Sequence, residues 1–127
     1  MTIRGTVSDL HALMPVTLRI PGQPDLTVEF VIDTGFDGAL SLPQAAVSAM
    51  KLPFFEDIRA NLANDSDVML PVHVATIIWQ GLLITVRVLA TGRRPLFGTA
   101  LLAGQRLSID FEQNGSVNIG PIPELPE

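Results

Sequence analysis

The run Phe30-Val31-Ile32-Asp33-Thr34-Gly35-Phe36-Asp37-Gly38-Ala39 places one acid where an apolar strand ends and a glycine-rich loop begins. A carboxylate in that position is costly to bury unless backbone amides and hydroxyls bond to it. The next residues suit that task. Gly35, without a side chain, lets the backbone curl until its N–H approaches the carboxylate, and the Thr34 hydroxyl can donate to a neighbouring carbonyl or to another chain. The chemistry open to an acid held this way is proton transfer. Turns also favour Asp-Thr-Gly, and on those three residues alone an ordinary turn is the simpler reading.

The other chemistry-bearing residues are few. His11 and His73 are the only histidines, and no Gly-x-Ser-x-Gly turn is present to make either one the base of a serine triad. His73 falls inside an apolar run and is expected to be packed with its polar edge satisfied. The chain has no cysteine, which removes disulfides, thiolate zinc sites and cysteine nucleophiles together. Asn64-Asp65-Ser66-Asp67 spaces its acids as a calcium loop begins. Met69 and Leu70 then stand where further oxygen ligands are needed, so the segment reads as a hairpin tip. A divalent-ion site would need Asp33, Asp37, Asp65 and Asp67 to converge from two loops. No metal or organic cofactor is expected. Gly92-Arg93-Arg94-Pro95 reads as a solvated turn.

The elements that position these residues are mostly strands. Val16, Leu18 and Ile20 alternate before the turn residues Pro21 to Asp25, and Leu26, Val28, Phe30 and Ile32 alternate on the return, delivering Asp33 at the end. Ser41-Leu42-Pro43-Gln44 has capping-box spacing, and a short helix is expected from there until Pro53. Phe54 to Ala63 and Val68 to Thr91 look like long strands, with tips at Asn64–Asp67 and Gln80-Gly81. The nineteen residues from Val68 to Val86 carry no charged side chain. Pro71, His73 and the Gln80-Gly81 turn make them a hairpin rather than a membrane helix. A second short helix is expected over Thr99 to Ala103, with Gly104 as a left-handed cap. A last hairpin alternates Leu107, Ile109 and Phe111, turns tightly at Asn114-Gly115, and returns through Val117 and Ile119. The proline-rich tail, 120–127, is expected to be a frayed end or an edge element.

Length and composition bound the rest. At 127 residues the chain is expected to be a single domain, 1–127, with one core. Apolar residues make up 47% and charged ones 17%, far from a disordered chain. Thirteen acids against eight bases leave a net charge of −5, which excludes a polyanion-binding surface and with it nucleic acid as a partner. The N-terminal stretch lacks the hydrophobic region of a signal peptide, so a cytoplasmic location is expected, with no membrane partner.

Over nearly its whole length, from the first hairpin to Leu107-Ser108-Ile109-Asp110-Phe111, the chain resembles the retropepsin-like (clan AA) aspartic proteases, closest to the small prokaryotic single-domain type. Two ordered segments carry the resemblance: the apolar-Asp33-Thr34-Gly35 stretch, and Pro95-Leu96-Phe97-Gly98-Thr99-Ala100-Leu101-Leu102, which looks like the family's apolar-apolar-Gly element. The resemblance implies a mainly β fold, a small closed acid-protease barrel with one or two short helices and a single Asp-Thr-Gly lobe. It implies Asp33 as the catalytic residue, supported by Thr34, Gly35 and Gly98. Phe36, Asp37, Gly38 and Ala39 would line the substrate site. A flap would have its tip at Ala63 to Val68, including Asn64, Asp65 and Ser66, and its arms at Phe54 to Leu62 and Val68 to Thr76. Peptide hydrolysis of this kind uses two carboxylates sharing one proton, and the chain has one such loop. The resemblance therefore implies a homodimer acting on a peptide or protein substrate, with the site built at the two-fold axis. A catalytically silent dimerisation or peptide-binding module is the alternative. Two departures stand out. Thr99-Ala100 occupy the place where retroviral relatives carry a charged residue, leaving Asp37 to pair with Arg87 or Arg106, or to face solvent or substrate. The flap is also polar rather than glycine-rich.

Overall fold

The computed structural model describes residues 1–61 and 63–125. Ten strands and one α-helix follow in order: β1 (Ile3–Ser8), β2 (His11–Arg19), β3 (Leu26–Ile32), β4 (Leu40–Leu42), α1 (Gln44–Met50), β5 (Phe54–Asn61), β6 (Asp67–Trp79), β7 (Leu82–Ala90), β8 (Leu96–Phe97), a 3-10 turn (Thr99–Leu101), β9 (Gln105–Ile109) and β10 (Ser116–Pro121). The sheet order is β5-β6-β7-β4-β8-β3-β2-β1-β10-β9, and β2 also pairs with β6 through Thr17↔Ile78, Leu18↔Ile77 and Arg19↔Thr76.

Alternation decides which side of each strand is dry. On β2, Ala12, Met14, Val16 and Leu18 are buried while His11, Pro15 and Arg19 are exposed, the period-2 pattern of a strand with one face on the core. Phe30 from β3, Leu40 and Leu42 from β4, Val88 from β7 and Phe97 from β8 meet this face. Each such side chain contributes about 1.5–3 kcal/mol on burial. Trp79 packs on Phe97 with ring centroids 5.5 Å apart. The uncharged run from Val68 is the β6–β7 hairpin, turning at Gln80 and Gly81, both with positive φ. No helix among the described residues is long and apolar enough to cross a membrane.

Five local readings are corrected. Strand β1 was not anticipated. It is joined to β2 by Asp9 and Leu10 at φ +51° and +63°, a two-residue turn without the glycine that usually marks it. The capping box does not form. Ser41 lies in β4, paired with Leu96 and Leu89 and buried, and α1 starts from Pro43 with no side-chain cap. The second helix is a single 3-10 turn, although Gly104 is left-handed at φ +75°. The last hairpin is joined by a loop rather than a tight turn: β9 stops at Ile109, and Phe111 is exposed in that loop. The Gly115 N–H bonds to Glu112 and the Asn114 N–H to Val7, so tertiary contacts set the turn. The tail is in the sheet as far as Pro121, which pairs with Gln105, and β10 lies between β1 and β9 rather than at an edge. Pro126 and Glu127 of the tail, and Leu62 of the expected hairpin arm, lie outside the described residues.

Candidate active site

The Asp33 loop is built by sequence-distant pieces. Strand β8 runs parallel to β3, with Val31↔Leu96 and Ile32↔Phe97, and antiparallel to β4, with Leu40↔Phe97 and Ser41↔Leu96. The chain leaves β3 at Asp33, loops out, and returns as β4 on the other side of β8. The Asp33 N–H donates to the Phe97 carbonyl at 2.9 Å, fixing the point of exit.

The residues after β8 then grip the loop. Gly98 N–H donates to the Ala39 carbonyl (2.8 Å), Thr99 N–H to Phe36 (2.8 Å) and Ala100 N–H to Gly38 (3.2 Å). Three amides of one segment meet three carbonyls of the other, which pairs six backbone groups between them. This approach is possible because residue 98 has no side chain. A Cβ there would overlap the Gly38 carbonyl oxygen and lie 2.7 Å from that of Phe36. The requirement is space, since φ at Gly98 is an ordinary −104°.

Within the loop, the Gly35 N–H donates to Asp33 Oδ1 at 2.9 Å, and the Phe36 N–H closes a turn onto the Asp33 carbonyl at 3.1 Å. A Cβ on Gly35 would stand 3.2 Å from that same oxygen. Asp33 is half-buried, while Thr34 and Gly35 are exposed at the loop's outer edge. One carboxylate oxygen is therefore held by an amide, and the threonine beside it is exposed.

Phe36, Asp37, Gly38 and Ala39 form one side of a groove of about 170 Å³. The other side comes from Ile58 of β5, Val72 of β6, and Arg87 and Leu89 of β7. The tip residues Asn64, Asp65 and Ser66 are not among its lining. They are tied to each other: Asn64 Oδ1 accepts the Ser66 N–H at 3.1 Å and its hydroxyl at 2.6 Å, and Asp65 takes φ +62°. Asn61 Nδ2 donates to Asp67 Oδ1 across the base of the tip at 3.2 Å. Of the strand-borne wall, Ile58 and Val72 lie within the hairpin arms expected to help form the pocket, while Arg87 and Leu89 of β7 were missed there in the sequence. The wall's signal was the alternation along the hairpin arms, which places Ile58 and Val72 on one face but does not say what that face meets.

Asp37 is exposed and takes part in neither of the ion pairs among the described residues. Arg87, one of its expected partners, instead bonds Glu56 at 3.0 Å and lays its guanidinium 4.8 Å from the Phe55 ring centre. Arg106, the other, stands by Thr2, Ser108 and Asn118. His73 is packed as expected, its Nδ1 at 2.9 Å from the Leu52 carbonyl and its ring tilted on Phe54. Among the described residues, no three histidine or acidic side chains gather as metal ligands would. A larger hollow of about 500 Å³ lies between α1 and the β2–β3 loop, and none of its lining comes from the Asp33 loop. Asp25, on its rim, is bound by Arg19 through two bonds of 3.0 and 3.1 Å, which hold its carboxyl below the usual range.

A mainly β chain with this strand order shares its fold with the retropepsin-like aspartic proteases. One solved structure that shows it is a retropepsin-like aspartic protease from Rickettsia conorii, matched with a TM-score of 0.58 over 94% of this chain and 93% of that one, at 14% sequence identity. No protein-family model matches the sequence, and neither does any curated protein.

Proposed function

We propose that this protein is an aspartic endopeptidase of the retropepsin type, with Asp33 as its catalytic residue. The observation that carries the reading is the Asp33 carboxylate, held by the Gly35 amide in a loop that residues 98–100 clamp and whose later residues, Phe36 to Ala39, line an open groove. On this reading the β2–β6 pairing closes the barrel that supports the loop.

One chain supplies one such carboxylate, and a two-fold homodimer brings it to Asp33 of the partner subunit. The ionised member takes a proton from a water as that water attacks the scissile carbonyl, and the protonated member donates to the carbonyl oxygen. Collapse of the tetrahedral species breaks the C–N bond, with a proton passing to the leaving amine. On this reading Thr34, exposed beside Asp33, bonds across the axis, while Gly35 and Gly98 keep the loop in shape. The β5–β6 hairpin acts as the flap, with Asn64, Asp65 and Ser66 at its tip. An extended peptide lies between flap and loop, pairing through main-chain bonds and sending alternate side chains into pockets that Phe36, Asp37, Gly38 and Ala39 help to form.

The alternative, a catalytically silent dimerisation or peptide-binding module, draws on the flap tip, whose polar groups bond one another rather than reach out. A cleavage screen against a mixed peptide library, from acidic to neutral pH, decides between them. The wild type should cut, Asp33→Asn should not, and specific activity should fall on dilution. A dimer by light scattering that cuts nothing would move the protein to the silent module.

A further inference from the structure

Resting on the peptidase reading, we infer that the groove beginning at Phe36 receives a lysine or arginine side chain of the substrate, and that Asp37 is the residue selecting it. The groove joins two kinds of surface. Its wall is apolar, made by Phe36, Ile58, Val72 and Leu89, while its rim carries Asp37 and Arg87. These two charges differ in what they have left to offer. Arg87 is already compensated by Glu56 at 3.0 Å and stacked over Phe55. Asp37 is exposed, on the loop itself, and paired with no cation among the described residues. The net charge left at the rim is negative.

A long basic side chain matches both surfaces at once. Its methylene stem covers apolar wall, and its cationic head reaches the wet rim to meet a carboxylate. A leucine would use the wall and leave Asp37 unanswered. A glutamate would bring a second negative charge to Asp37 and compete with Glu56 for Arg87. The chain's overall charge of −5 adds a long-range pull on cationic peptides.

The test uses peptides identical except at one position, scanned through Lys, Arg, Gln, Leu and Glu, with kcat/KM measured on wild type and Asp37→Asn. For a partly exposed ion pair, the basic peptides should lead the Gln peptide by about fivefold. The lead, read as the ratio of basic to Gln peptide within each protein, should shrink with added salt and vanish in Asp37→Asn. Fluorescence-polarisation binding of the same labelled peptides to Asp33→Asn protein keeps this separate from catalysis. A basic preference in binding, with a wild type that cuts none of the peptides, would support Asp37 and sink the peptidase. Cleavage with no basic preference, or with one that survives Asp37→Asn, would overturn the role given to Asp37 and leave the peptidase standing. A preference for Glu that is lost in Arg87→Gln would overturn it too, by showing that Arg87 reads the substrate. No binding of any Lys or Arg peptide would overturn it outright.

Discussion

Gly98→Ala tests whether residues 98–100 hold the Asp33 loop. The added methyl overlaps the Gly38 carbonyl oxygen and comes within 2.7 Å of the Phe36 carbonyl, and both are backbone atoms that no rotamer change can move aside. Relief requires the two segments to part, which weakens the bonds Gly98–Ala39, Thr99–Phe36 and Ala100–Gly38. Overpacking costs about 1–3 kcal/mol, and each weakened bond about 0.5–1.5 kcal/mol. With two of the three bonds lost, the expected destabilisation is about 2–6 kcal/mol, a large share of the 5–15 kcal/mol typical of a domain. The single tryptophan reports on the region, because Trp79 packs on Phe97, next to the substitution. Urea unfolding followed by its fluorescence gives the stability, and amide exchange at 98–100 gives the local effect. Gly92→Ala is the control. It has φ +84° and open space around it, so only the backbone strain of about 1–2 kcal/mol applies. A Gly98→Ala protein no less stable than Gly92→Ala, with its 98–100 amides still protected, would refute the clamp.

Leu10 sits exposed at φ +63° in the β1–β2 turn, and Leu10→Gly should raise stability by about 1 kcal/mol in thermal or urea melts. The Ser41 hydroxyl is buried with no partner among the described residues, so Ser41→Ala should leave stability unchanged or raise it by up to about 1 kcal/mol; a clear loss would reveal a hidden partner. The Asp25 carboxyl is held below its ordinary value by the Arg19 hydrogen bond. That contribution is present above the ordinary carboxylate range and is lost as pH falls through the folded value. Wild type should therefore exceed Arg19→Gln in stability at neutral pH, with the two curves converging in acid. Curves that stay parallel down to acid would rule out the pair.

The loop around Asp33 was legible because its signals are local: an apolar strand, an acid and a glycine that can turn its amide back. The β2–β3 and β6–β7 hairpins were legible for the same reason, since alternation and turn residues lie within a short window. Other features depend on partners far along the chain. Ser41 has good capping chemistry, but the bonding of β4 to β7 and β8 draws it into the interior. Leu10 gives no turn signal, and the register of β1 against β10 and β2 imposes the conformation anyway. The β7 part of the groove wall was hidden because strand alternation names a face without naming what it packs against. The sequence left Asp37 to Arg87, Arg106, solvent or substrate, and could not choose because Glu56, which takes Arg87 from two strands away across β6, is close in space and distant in sequence.

The grip of residues 98–100 on the loop also sets an order of assembly. Thr99 and Phe36, which bond each other, are 63 positions apart, and no contact between them can form until most of the chain has been made. Closing so long a stretch is entropically slow compared with folding a hairpin. On the ribosome, Asp33, Thr34 and Gly35 therefore emerge early and wait unsupported until Gly98 arrives. A nascent chain passes most of its synthesis with the acid in place and the means of using it unmade. Pulse-labelled exchange during refolding should find the 98–100 amides protected later than those of β2 and β3, and the reverse order would show that the loop is organised without its clamp.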